Sequence, residues 1–190
     1  MPSLLITTSR RPSNRVRTFV RDLMTILPDS ERFNRGGMSL EELTARIGQS
    51  GARAALIVGT SRGNPQQIQF VFPAGHSALS ILIESAVLRR EVLPSGGPRI
   101  NGVFGITVNP SPTDNAQDVA GMVAELLELP LLVSQKVDPV GEGGLNRAII
   151  RFQDVVGGKL IWTHYHAYDG TEIGPRIRIF SVRRNPNHEP

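Results

Sequence analysis

Apolar and polar positions at the start of the chain predict a strand, a loop and an amphipathic helix. The run Leu4-Leu5-Ile6-Thr7-Thr8 is typical of a strand, and a loop rich in Ser and Pro follows at 9–13. The next apolar residues recur three or four positions apart, at Val16, Phe19, Val20, Leu23 and Leu27. This spacing predicts a helix from about Asn14 to Leu27 with one apolar face, and Pro28 ends it.

The same order of elements recurs about one hundred residues later. A strand at 103–108 precedes a second Ser/Pro loop at 109–113, and a helix from about 114 to 129 ends at Pro130. Each half continues with a predicted hairpin. The hairpins comprise strands 54–58 and 67–72 around a turn at 63–65, and strands 148–152 and 160–166 around a turn at 157–158.

The remaining segments complete the two halves less symmetrically. Only the first half shows a second helix, at 39–49, where Ser39 and Glu42 stand at the capping-box positions. The segment 80–92 fits either a helix or a strand, and we favour a strand. The run 176–182 is the corresponding strand of the second half.

Each half is therefore a strand–helix unit followed by a meander, which predicts an α/β (α+β) fold with helices on a mixed sheet. We expect a single domain over 1–190 that contains two similar halves, 1–95 and 99–190, divided by the Pro/Gly-rich stretch 94–98. Short α/β patterns can resemble one another by chance. The shared order of strand, loop, helix and proline favours duplication.

Composition excludes several classes of protein. The chain has no cysteine, so it can form neither a disulfide framework nor a zinc site with thiolate ligands. No segment approaches the ~18 apolar residues of a membrane-spanning helix. The N-terminus lacks the features of a signal peptide, so we expect the protein to stay where it is made and not to contact a membrane.

Positive charge is concentrated at the two ends of the chain. Of the 21 cationic residues, all but Lys136 and Lys159 are arginine, whose planar guanidinium binds phosphate oxygens in pairs. A genome rich in G and C would also raise the arginine content. The net charge is +5 over residues 1–62, −4 over 63–146 and +3 over 147–190, which indicates an anionic partner for part of the surface.

The first Ser/Pro loop and the helix after it carry the strongest functional signal. Cations at a helix start oppose the helix macrodipole, yet Arg10, Arg11, Arg15 and Arg17 crowd this one. An external phosphate would make the arrangement favourable; the alternative is a solvated basic face without a ligand. The predicted RNA-binding residues are Thr8, Ser9, Arg10, Arg11, Ser13, Arg15, Arg17 and Arg21, with Arg35, Arg62 and Arg176 as secondary candidates. For Arg176, a structural role is the alternative to RNA binding.

Two ordered motifs about 170 residues apart frame the chain. The matching segments are Ile6-Thr7-Thr8-Ser9-Arg10, Pro12-Ser13, Arg15, Phe19, Pro28, Arg35-Gly36, Leu40 to Leu43, Arg62-Gly63-Asn64-Pro65, Tyr168 and Glu172-Ile173-Gly174-Pro175-Arg176. In this order they resemble the Brix-domain family, in its compact archaeal form. The chain departs from the family at 164–168, where His164-Tyr165-His166-Ala167-Tyr168 stands in place of an Arg followed by two His and a Tyr.

The resemblance implies two halves similar to the anticodon-binding domain of class II aminoacyl-tRNA synthetases, and a role in ribosome biogenesis. The implied partners are rRNA or pre-rRNA, with ribosomal or other assembly proteins as further candidates. We expect a monomer that acts in the cytoplasm, or in the nucleolus if the source is eukaryotic. A protein-interaction module with weak RNA contact is the alternative function.

An enzyme is the other alternative class, but the sequence contains few features that support catalysis. There is no Gly-rich nucleotide loop after a strand and no nucleophile elbow. His164, His166 and Asp169 could together ligate zinc or move a proton. A packed, half-exposed strand face is the preferred interpretation of these residues. We therefore predict no catalytic residue, no metal and no cofactor.

Overall fold

The computed structural model of the protein describes residues 3–27, 29–73 and 77–184. Its strands are β1 Leu4–Thr8, β2 Ser30–Arg32, β3 Ala54–Ser61, β4 Asn64–Val71, β5 Ser77–Val87, β6 Gly102–Val108, β7 Leu131–Val133, β8 Arg147–Val155, β9 Lys159–His166 and β10 Arg176–Arg184. Its helices are α1 Asn14–Ile26, α2 Leu40–Ser50, α3 Arg89–Val92 and α4 Asp114–Leu127, with a 3-10 turn at Gly141–Gly144. Pro28, the predicted end of the first helix, lies outside the described residues.

All ten of these strands form one mixed sheet in the order β2-β1-β3-β4-β5-β10-β9-β8-β6-β7. β1 lies between its parallel neighbours β2 and β3, and β6 lies in the same way between β7 and β8. The halves join where β5 pairs antiparallel with β10. This topology confirms the predicted fold class with two similar halves. The division at 94–98 and the likeness to an anticodon-binding domain stay predictions.

The helices cover the sheet unequally. On one face, the apolar stripes of α1 and α4 pack on both halves and form the larger core, around Phe19, Phe70, Phe152 and Trp162. On the other face, a smaller core lies under α2 in the first half only. This second core exists because α1 and α2 carry the crossovers β1–β2 and β2–β3 on opposite sides of the parallel strands.

Strand direction decides which loops lie together. β1, β2 and β3 are parallel, and β5 shares their direction because it is reached through two antiparallel pairings. We call the edge of the sheet where these strands end, and where β10 begins, the carboxyl edge. The parallel strands of the second half run the opposite way, because β5 and β10 are antiparallel. The loops after β6 and β8 therefore lie at the opposite edge.

Three predicted boundaries need correction. The segment 80–92 is a strand only as far as Val87, and 89–92 is the short helix α3, whose Glu91 carboxylate accepts the Leu88 N–H at 2.7 Å. The first hairpin turns at Arg62-Gly63, both with positive φ, whereas Asn64 already belongs to β4. This matches the geometry of a two-residue hairpin loop. The helix predicted to reach 129 ends at Leu127, because Glu128 adopts a left-handed conformation.

Candidate nucleic-acid interface

The loop between β1 and α1 is fixed at the carboxyl edge by hydrogen bonds to the β3–β4 hairpin. Ser13 caps α1, since its Oγ accepts the Val16 N–H at 3.1 Å and also donates to the Gly63 carbonyl at 2.5 Å. Ser9 Oγ accepts the Thr60 N–H at 3.2 Å. Two of the three predicted hydroxyls, those of Ser9 and Ser13, are therefore held in place by contacts within the chain.

An open cleft lies beside this loop. Its volume is about 420 Å³, and it is lined by Thr8, Ser9, Arg10, Arg11, Pro12, Asn34, Gly36 and Gly37. A neighbouring depression of about 270 Å³ is lined by Thr8, Pro12, Arg17, Arg32, Phe33 and Asn34. Both lie where β1 and β2 end, close to the point at which consecutive crossovers leave on opposite faces. Ligands of α/β proteins bind in crevices of this kind.

Four of the predicted arginines, on this loop and on α1, form no ion pair with a residue that the structure describes. Arg10, Arg11, Arg17 and Arg21 are exposed. Arg10 donates to the Gly37 carbonyl at 3.4 Å, and Arg17 donates to Asn14 Oδ1 at 3.2 Å. Among residues 3–27, 29–73 and 77–184, no carboxylate lies within 4.0 Å of any of the four guanidinium groups. The net positive charge of the surface is therefore available to an external anion.

Two secondary candidates join them at the carboxyl edge. Arg35 follows β2, is half-buried and donates from Nε to the Met38 carbonyl at 3.1 Å. Arg62 is exposed at the tip of the β3–β4 hairpin with a φ of 47°. Neither forms an ion pair with a residue that the structure describes. Arg21 lies farther away, on the second turn of α1.

Arg15 and Arg176 differ from the others because each is paired with a carboxylate. Arg15 forms a bidentate ion pair with Glu91. Arg176 forms one with Glu172. In both cases the hydrogen bond to the carboxylate raises the pKa of the arginine. Their inclusion among the phosphate contacts stays a prediction, and a structural role has direct support in these pairs.

Sequence reasoning missed several cations at this edge. Arg32 is exposed at the end of β2 and lines the smaller depression. Arg99 and Arg147 are exposed just before β6 and at the start of β8, and those strands begin at the carboxyl edge. The sequence gives no signal for the last two, because their position depends on the antiparallel joining of the halves.

His164 and His166 are buried, so their strand face is packed as predicted but is not half-exposed. Their side of β9 faces the larger core, where His164 lies 5.8 Å from the Trp162 ring, measured between ring centroids. His164 Nδ1 lies 2.7 Å from the Pro175 carbonyl, and burial lowers the pKa of His164 to about 4. His166 Nδ1 lies 3.3 Å from Asp169 Oδ1. Within the described ranges, no group of three His, Asp or Glu side chains is placed to hold a metal ion.

Comparisons with known proteins agree on one family. The chain is 30% identical over 179 residues to the "probable Brix domain-containing ribosomal biogenesis protein" of Aeropyrum pernix, covering 92% of this chain and 93% of that protein. It is 28% identical over 194 residues to the U3 small nucleolar ribonucleoprotein protein IMP4 of Saccharomyces cerevisiae, covering 96% of this chain and 61% of the yeast protein. No protein-family model matches the sequence.

Solved structures share the fold. The crystal structure of a probable ribosomal biogenesis protein from Aeropyrum pernix K1 aligns with a TM-score of 0.72 at 26% identity, over 99% of this chain and 98% of that one. An archaeal Imp4-like protein, Mil, aligns with a TM-score of 0.62 at 22% identity, over 95% and 99%. Over the part of the chain that the structure describes, no helix is long and apolar enough to cross a membrane. The chain belongs to the Brix-domain family of ribosomal biogenesis proteins.

Proposed function

We propose that this protein binds rRNA or pre-rRNA through the carboxyl edge of its first half during ribosomal subunit assembly. The observation that carries the proposal is the group of exposed arginines, Arg10, Arg11, Arg17 and Arg21, that lack a carboxylate partner among the described residues. Guanidinium groups beside a helix start offer charge and directed hydrogen bonds to phosphate oxygens. The protein acts by binding rather than by catalysis.

Contacts to RNA are mainly to phosphates. Only 5% of the residues are aromatic. Phe19, Phe33 and Phe70 of the first half are buried and cannot stack on bases, and the exposed Tyr168 and Phe180 belong to the second half. Sequence-specific RNA recognition usually relies on splayed bases that stack on side chains. We therefore expect the protein to recognise the backbone path of a folded RNA. We further propose that it acts as a monomer in the cytoplasm of an archaeal cell, where ribosomal subunits are assembled.

Salt-dependent filter binding of structured rRNA tests this function. If about five phosphates are contacted, the slope of log affinity against log salt is on the order of −3.5. The variant Arg17→Gln should reduce the steepness by about 0.7. The matched control Arg183→Gln removes one exposed charge at the opposite edge and should leave the slope unchanged. A flat salt response, or equal effects of the two variants, contradicts the proposal.

A second candidate function is the binding of a partner protein by the second half. β7 is the edge strand of the second half, and its three residues Leu131, Leu132 and Val133 are all exposed. Exposed apolar edge strands are typical sites of strand addition by another chain. If the variant Leu132→Lys abolishes the recovery of assembly proteins from cells but leaves RNA affinity unchanged, this function is supported as well.

A further inference from the structure

The two halves can be compared residue by residue at the start of their first long helix. Thr8 pairs with Val58 in the first half, and Val108 pairs with Phe152 in the second. Two residues farther along β3 and β8, Thr60 therefore corresponds to Asp154. One hydrogen bond recurs and supports this correspondence: the Thr60 N–H donates to Ser9 Oγ at 3.2 Å, and the Asp154 N–H donates to Asn109 Oδ1 at 2.9 Å.

In the second half, a carboxylate of the chain itself occupies the start of α4. Asp154 accepts the Thr113 N–H at 2.9 Å and the Thr113 hydroxyl at 2.5 Å. Thr113 is the residue that caps α4, as Ser13 caps α1. A negative charge at this end of a helix is favourable, because the helix macrodipole is positive there. The Asp154 carboxylate thus supplies the negative charge at the start of α4.

In the first half, the corresponding position holds no charge. Thr60 contributes only a hydroxyl, which accepts a hydrogen bond from Ser9 Oγ at 3.3 Å. The Ser13 hydroxyl donates to Gly63. Within residues 3–27, 29–73 and 77–184, no acceptor is placed to receive the Ser13 N–H, whose counterpart in the second half is bound by Asp154. This position adjoins the cleft that Arg10 and Arg11 line.

We propose that the residue at this position decides which half accepts an RNA phosphate. Thr60 places no charge at the start of α1. A phosphate oxygen can therefore accept a hydrogen bond from the Ser13 N–H, while the surrounding arginines neutralise the phosphate charge. Asp154 fills the equivalent position with the protein's own carboxylate and excludes phosphate from the second half. The inference rests on the proposed RNA-binding function. It adds the Ser13 N–H to the phosphate-binding groups, and it gives Thr60 the role of the uncharged residue that leaves this N–H free.

The variant Thr60→Asp tests the inference, because it copies the residue of the second half into the first. Its carboxylate should take up the Ser13 N–H, lower RNA affinity about tenfold and reduce the steepness of the salt dependence by about 0.7, the equivalent of one phosphate. Thr60→Asn has the same shape without the charge. Asn101→Asp adds the same charge at an exposed site before β6. Both controls should bind RNA as the wild type does.

Amide chemical shifts of the wild-type protein give a second measurement that does not depend on any variant folding. Titration with a short oligoribonucleotide should move the Ser13 N–H resonance strongly and leave that of Thr113 in place. If wild type binds RNA but Thr60→Asp and Thr60→Asn bind equally, or if Thr113 rather than Ser13 responds, the inference is overturned. If wild type shows no salt-dependent RNA binding, the proposed function itself fails.

Discussion

Arg15 on α1 and Glu91 on α3 form a bidentate ion pair, with Nη1–Oε1 and Nη2–Oε2 distances of 2.5 and 3.0 Å. Arg15 also donates to the Ala86 carbonyl at 2.8 Å, and Glu91 also accepts the Leu88 N–H at 2.7 Å. The hydrogen bond from Arg15 lowers the pKa of Glu91. This pair joins the start of the proposed RNA-binding helix to the end of β5, where the two halves meet.

We predict that Arg15→Gln affects stability more than RNA binding, whereas Arg17→Gln does the reverse. Both members of the Arg15–Glu91 pair are about one third exposed, so its loss should lower the free energy of unfolding by no more than about 1 kcal/mol. Urea unfolding measures the stability, and filter binding measures the affinity. Glu91→Gln is the matched control: it should reproduce the stability loss without weakening RNA binding. If Arg15→Gln weakens RNA binding as much as Arg17→Gln, Arg15 contacts phosphate directly.

A second prediction concerns acid stability and His164. The ring is fully buried, and the pKa is lowered from 6.5 to about 4, chiefly by burial, with a smaller contribution from the charge of Arg89. His164 is therefore protonated below about pH 6.5 in the unfolded chain, but only below about pH 4 in the folded protein. The stability that depends on neutral His164 is complete above pH 6.5 and is lost as the pH falls toward 4, by about 3 kcal/mol in total.

The variant His164→Gln isolates this effect, because it keeps a polar side chain that can donate to the Pro175 carbonyl but does not titrate. The difference in unfolding free energy between wild type and His164→Gln, measured in urea at pH 8, 6, 5 and 4, should shrink steadily below pH 6.5. The remaining titratable groups contribute equally to the unfolding free energy of both proteins, so their contributions cancel in the difference. A difference that stays constant with pH would show that His164 is not buried in its neutral form.

The sequence was sufficient for the strand, loop and helix that open each half and for the position of the basic loop, but not for the contacts of each arginine. The strand, loop and helix around Ser13 follow from local periodicity and capping, which act over a few residues. The partner of Arg15 is Glu91, 76 residues away, and only the tertiary fold brings them together. His164 was misjudged for a similar reason: an i, i+2 pattern shows which residues share a strand face, but not what covers that face.

The second half contains a glycine that only close packing explains. A Cβ placed on Gly144 would lie 2.5 Å from the Ala167 carbonyl carbon and 2.7 Å from its oxygen, whereas one on neighbouring Gly143 would meet only Val140, at 3.7 Å. We predict that Gly144→Ala lowers the free energy of unfolding by about 2 kcal/mol through overpacking. Gly143→Ala should change it by less than about 0.5 kcal/mol. Thermal unfolding of the two variants makes the comparison, and equal effects would contradict the packing argument.

Phe33 and Leu132 occupy the same position in the two halves, each directly after the residue that pairs with Ile6 or Ile106. Phe33 is 7% exposed beneath α2, while Leu132 is 46% exposed, because no helix among the described residues covers that face of the second half. We predict that Phe33→Ala lowers the free energy of unfolding by about 3 kcal/mol, and that Leu132→Ala lowers it by less than about 1 kcal/mol. Urea unfolding of the purified protein measures both. A large loss for Leu132→Ala would mean that its side chain is already buried in the isolated protein, and β7 would then not be a surface open to a partner.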